Sequence, residues 1–156
     1  MHKHILIPTD GSELSAKTIE YGVALAQSVG ARVTGLTISR PLPRGSGRAG
    51  RQTVSPRERA AAGAAGRLAQ ITEAAAKLGV DCDVVHGEHR QPYKGIIDTA
   101  NGKGCDLIVM ASHGRRGISA IVLGSETVKV LTHSNIPVLV FRGQRSALVP
   151  DYFVAS

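Results

Sequence analysis

The sequence predicts a single-domain α/β fold: a five-stranded parallel sheet with helices on both faces. Three observations carry this. Short apolar runs rich in Val, Ile and Leu alternate along the 156 residues with longer stretches whose apolar positions recur at helical spacing. The runs around 107–110 and 136–141 are almost continuously apolar, as strands buried on both sides require. Each connection is long enough for a crossover helix, and right-handed crossovers leave few other arrangements.

In chain order, residues 3–9 (KHILIPT) form the first strand, ended near Pro8, and Asp10-Gly11-Ser12 supplies turn and N-cap chemistry with Ser12 as the cap. Leu14, Ile19, Val23, Leu25, Ala26 and Val29 mark the inner face of a helix over 13–29 that Gly30 stops. The second strand runs from Val33 to Ser39. Residues 40–55 are rich in Arg, Gly and Pro without periodicity and read as a mobile loop. An Ala-rich helix follows over 56–78, weakened in its middle by Gly63 and Gly66. The third strand spans 81–86, and a helix begins at Pro92 with Ile96, Ile97 and Ala100 inward. Leu107–Met110 is the fourth strand. A helix over 124–133 with Val128 and Leu131 inward and a strand over 136–141 complete the domain, 1–142; residues 143–156 are a tail.

Composition narrows the class. The net charge is +7, but residues 40–59 hold six arginines against Glu58, leaving +2 for the rest. The basicity belongs to one loop, and the five aromatics are not interleaved with it, so a nucleic-acid platform is not expected. Cys82 and Cys105 sit inside apolar runs without a metal or disulfide spacing, as reduced thiols of a cytoplasmic protein would. No leader pattern or membrane-spanning run is present in the sequence. His2, His4, His86, His89 and His133 form no ligand set with acids or thiols, and no serine is expected beside a base.

Function concentrates in 106–127, DLIVMASHGRRGISAIVLGSET. A strand feeds a small-residue turn, a segment follows, and Gly124-Ser125 opens a helix whose first amides lack internal partners and attract anions. In a parallel sheet of this kind, ligands sit at the carboxyl ends of the strands where strand order reverses, here between the first and fourth strands. That juxtaposes Pro8–Ser12 with Met110–Ser125. Asp10 can accept from hydroxyls or hold a divalent cation, and Ser125 can donate to a phosphate. Arg115 and Arg116 reach such a phosphate or form a solvated edge; His113 donates to it or fills the turn.

These residues resemble the universal stress proteins over nearly the whole chain, from Ile5–Ser12 to Asn135–Val140. Nucleotide-binding members carry Gly, two residues, Gly, nine residues, then Gly followed by Ser or Thr. This sequence has Ala111-Ser112-His113-Gly114, nine residues, then Gly124-Ser125, with alanine for the first glycine. The resemblance implies a Rossmann-like fold of the adenine nucleotide alpha hydrolase type and an ATP ligand, with Mg2+ on the nucleotide. It implies that Pro8, Thr9 and Asp10 line the adenosine side, with Gly11 a further cofactor-binding candidate beside them, that Ile38 packs near the base, and that Met110 and Ala111 flank the ribose. Gly114, Gly124, Ser125 and the backbone of Glu126 would hold phosphates, and His113 and Arg115 stand beside them as cofactor-binding candidates. It also implies a homodimer through the last strand and a regulatory binding module rather than an enzyme. Two departures stand out. Ala111 adds a methyl where close approach or positive φ is expected, and Glu126 adds negative charge beside the phosphate seat. A nucleotide-free scaffold and a slow autophosphorylating enzyme remain the competing readings.

Overall fold

The computed structural model describes residues 1–43, 54–114 and 123–143. The elements are β1 (His4–Pro8), α1 (Glu13–Val29), β2 (Arg32–Ser39), α2 (Pro56–Leu78), β3 (Cys82–Glu88), α3 (Pro92–Lys103), β4 (Leu107–Ala111), α4 (Ser125–His133) and β5 (Val138–Phe141). The five strands form one parallel sheet in the order β3-β2-β1-β4-β5. Order therefore reverses between β1 and β4, as the sequence predicts. Most of the expected loop 40–55 and all of the tail beyond Gly143 lie outside the described residues.

Alternation along the strands divides the core between the two faces. Ile5, Ile7, Val33 and Val109 pack with Ile19, Val23 and Ala26 of α1 and with Leu68, Ile71 and Ala75 of α2. Leu6, Leu36, Ile108 and Met110 face Ile96 and Ala100 of α3 and Val130 of α4. Gly63 and Gly66 do not interrupt α2, whose start is secured by a reciprocal capping box between Ser55 and Glu58.

Four expectations are corrected. Val128 and Leu131 are not inward: they are 45% and 42% exposed, while Thr127 and Val130 are buried. The Thr127 hydroxyl donates to the Ala111 carbonyl at 2.9 Å, which fixes the rotational phase of α4 against the end of β4. Ala111 is not a turn residue but the last residue of β4, in register with Phe141. β3 continues past His86 because its ladder with β2 runs to Ser39↔Glu88. β5 starts at Val138 rather than Ile136, since the Ser134 hydroxyl holds the Ile136 amide at 2.9 Å in a turn and Pro137 has no amide to give.

The β1–β4 ladder is short, with partners Ile5↔Leu107 and Leu6↔Ile108, although β1 stays paired to β2 as far as Pro8↔Leu36 and β4 to β5 as far as Ala111↔Phe141. Pro8 accounts for part of this. The Thr9 amide donates to Leu36 of β2 at 2.8 Å, so the preceding nitrogen faces β4, and there proline offers no proton. The two strands part at their carboxyl ends, and the parting opens a cleft.

Candidate functional site

The cleft has a volume of about 720 Å³ and lies above the β1–β4 parting. Its floor is apolar: Leu36 and Ile38 from β2, Met110 and Ala111 from β4, and Ile96 from α3. One wall is the β1–α1 turn, the other is the α4 N-terminus.

The turn is built by its own hydrogen bonds. Asp10 Oδ1 accepts from the Ser12 amide at 2.9 Å and from the Ser15 hydroxyl at 2.7 Å. Ser12 Oγ caps α1 by accepting from the Ser15 amide at 3.2 Å. Gly11, with φ 79°, turns the chain where a Cβ would be strained. Its amide donates to Thr9 Oγ1 at 3.2 Å. Asp10 thus performs ordinary turn chemistry and lines the cleft at once, with Oδ2 on the side of Gly114.

The two glycines of the opposite wall are there for space. A Cβ on Gly114 would collide with Asp10 Oδ2. A Cβ on Gly124 would stand 3.0 Å from the Cα of His113, against backbone that cannot turn aside. The Gly124 amide donates to the Ser112 carbonyl at 2.7 Å, drawing the two ends of the intervening segment together. Gly124 is the N-cap of α4 and makes no side-chain cap, so the first α4 amides meet the cleft beside Ser125 with the positive end of the helix dipole.

Pro8, Thr9, Asp10, Ile38, Met110, Ala111, His113, Gly114, Gly124, Ser125 and Glu126 all line this one cleft. Gly11 does not; it shapes the turn. Arg115 and Arg116 lie outside the described residues. His113 is half-buried, with Nδ1 3.2 Å from the Ser112 hydroxyl, so it fills the turn while lining the cleft. The methyl of Ala111 meets no conformational barrier, since no non-glycine residue among those described has positive φ. Glu126 does not aim at the α4 N-terminus: its Oε2 accepts from the Tyr93 amide at 2.8 Å, at the start of α3.

Ser15, Leu36, Arg40, Pro92, Ile96 and Thr127 line the cleft as well and are not among the predicted site residues. Arg40 was legible in principle: it lies two residues beyond Ile38, hence on the same face of an extended segment. One expectation about chemistry is also corrected. Ser39 Oγ and His86 Nε2 are 2.8 Å apart, a serine beside a base. The pair is exposed at the β2–β3 margin, neither residue lines the cleft, and among the described residues no carboxylate bonds His86.

A polar cluster lies at the opposite end of the sheet. The buried His4 ring approaches Thr34 Oγ1 at 2.7 Å, and that hydroxyl donates to Asp83 Oδ1 at 2.5 Å, which places the His4 proton on Nε2. Lys103 Nζ meets Asp83 Oδ2 at 2.9 Å. Burial pushes the Asp83 carboxyl up, but the Thr34 and Lys103 hydrogen bonds and the charges of Lys103 and Arg32 outweigh it and hold it below the usual range. Burial, with Asp83 and Asp106, pushes the Cys105 thiol up to about 11, so it is an inert thiol. Among the described residues no three His, Cys, Asp or Glu side chains are grouped to hold a metal, and no helix is long and apolar enough to cross a membrane.

Fold and site together define a small α/β protein of the doubly wound class with a cleft at its topological switch point. Residues 1–142 match the model of the universal stress protein family, and the chain belongs to that family. It is 30% identical to the universal stress protein YxiE of Bacillus subtilis over 149 residues, covering 91% of this chain and 100% of that protein. Among solved structures, that of MJ0577, a universal stress protein of Methanocaldococcus jannaschii, superposes with a TM-score of 0.74 at 25% identity, covering 94% of this chain and 99% of that one. A universal stress protein solved in complex with cAMP superposes with a TM-score of 0.68 at 20% identity, covering 90% and 96%.

Proposed function

We propose that this protein binds an adenine nucleotide, ATP with Mg2+, in the switch-point cleft and acts in the cytoplasm as a regulatory binding module of the stress response rather than as an enzyme. The observation that carries the reading is the meeting of Gly114 with Asp10 and of Gly124 with the His113 backbone beside the α4 N-terminus, at the edge of an apolar floor. A flat apolar base suits the Ile38–Met110 floor, a ribose suits the Asp10 carboxylate, and a phosphate suits the α4 amides and the Ser125 hydroxyl. Pro8, Thr9 and Ala111 complete the adenosine side, with Gly11 behind them. Arg115, outside the described residues, is a further candidate for the phosphate. The metal is held through the nucleotide, with Asp10 as the cleft carboxylate on that side.

Homodimerisation through β5 belongs to the same reading. Val138, Leu139, Val140 and Phe141 are only half-buried at the margin of the sheet, an apolar edge that a second copy would pair and cover.

The test is calorimetric titration of nucleotide-stripped protein with Mg-ATP, beside Gly124→Val, whose side chain would press on the His113 backbone. Binding in the first and none in the second is expected. No heat and no copurifying nucleotide would turn the reading to a nucleotide-free scaffold, and stoichiometric product formation over hours would turn it to an enzyme.

A further inference from the structure

We propose that Glu126 sets how much phosphate the cleft tolerates, acting as a specificity residue that penalises each added phosphate charge; this rests on the nucleotide reading of the cleft. α3 starts with Pro92 at its first turn, and its N-cap residue Gln91 makes no side-chain cap. Glu126 supplies that cap from another helix, with Oε2 accepting from the Tyr93 amide at 2.8 Å. The carboxylate is held from its other side too. Lys129 Nζ lies 3.7 Å from Oε1 and 5.5 Å from the centroid of the Tyr93 ring, and that ring packs on His133 with centroids 5.1 Å apart. The negative charge is therefore fixed in place.

Its place matters because Glu126 directly follows Ser125, the first residue of α4, and both line the cleft together with Pro92. An anion on the first α4 amides would feel two opposed fields: the helix dipole attracts it and the pinned carboxylate repels it. Glu126 lines the cleft and Lys129, its counter-charge, does not. Two like unit charges roughly 7 Å apart in a largely solvated cleft weaken binding about two- to fivefold. Adenosine escapes the penalty, and AMP, ADP and ATP pay it in increasing measure. Glu126 thus offsets part of the attraction that the α4 amides offer each phosphate.

Glu126→Gln tests this because the amide oxygen still accepts from Tyr93 and keeps α3 capped, while the charge is gone. Dissociation constants for adenosine, AMP, ADP and ATP are measured by calorimetry without divalent cation, for both proteins, at low and high salt. The expected result is unchanged adenosine affinity, a gain that rises stepwise from AMP to ATP, and a smaller gain at high salt. An equal gain or loss for all four ligands would make Glu126 a structural cap alone and overturn the proposal, as would four unchanged constants. If neither protein binds any of the four, the nucleotide reading itself falls, and this inference with it.

Discussion

Gly114→Ala isolates the contact between the two walls of the cleft. The added Cβ would overlap Asp10 Oδ2, and Asp10 cannot turn aside cheaply because Oδ1 is engaged by the Ser12 amide at 2.9 Å and the Ser15 hydroxyl at 2.7 Å. Either the carboxylate rotates and loses those bonds or the turn at 112–114 moves. A hydrogen bond to a charged acceptor contributes about 1.5–3 kcal/mol, and overpacking of one methyl costs about 1–3 kcal/mol. Because relaxation spreads the strain over both routes, the expected loss is about 1.5–3 kcal/mol, a fall in Tm of roughly 3–12 °C for a chain of this size. The decisive measurement is a double-mutant cycle by urea denaturation. Asp10→Ala removes the carboxylate, so Gly114→Ala on that background should cost less than about 0.5 kcal/mol. If Gly114→Ala costs the same with and without Asp10, the two walls do not touch through this pair and the account of the glycine is wrong.

Two further outcomes follow from the fold and the polar cluster. Burial and Arg32 lower the pKa of His4 from 6.5 against the opposing pull of Asp83, Asp106 and the Lys103 carbonyl, so the unfolded chain takes up the proton first. The stability His4 contributes is complete above pH 6.5 and is lost as pH falls through its depressed folded value; Tm measured from pH 7.5 to 5.5 should drop more steeply for the native protein than for His4→Gln, and equal slopes would remove His4 from the account. In α4, Val130→Ala should cost about 1.5–3 kcal/mol, since its side chain is fully buried, whereas Val128→Ala should stay within about 0.5 kcal/mol; chemical denaturation decides, and a reversed order would mean the helix is phased as its apolar residues alone suggest.

That helix shows where sequence reasoning loses purchase. In α4 the apolar residues Val128, Val130 and Leu131 are too few and too closely spaced to define one face, and periodicity selects the wrong pair. A threonine hydroxyl bonded to the end of β4 sets the phase instead, and nothing in the spacing announces that bond. In α1 the same reasoning works, because Ile19, Val23 and Ala26 repeat over several turns and outweigh any single polar contact. The Asp10 turn was legible for the same reason of locality: its partners lie within five residues in sequence.

Local chemistry by itself thus determined the element order, the parallel sheet, the switch point between β1 and β4, and the glycine-bounded turn beside it. Each follows from short-range rules: crossover length, strand burial, turn residues and orphan helix amides. Only the tertiary structure decided that Ala111 ends a strand and carries no φ strain, that Gly114 is held to its size by a residue 104 positions away, and that Glu126 turns from its own helix to cap another. Those outcomes depend on where distant segments come to rest against each other. Contacts between such segments are set by the packing of the whole sheet, and no local pattern encodes them.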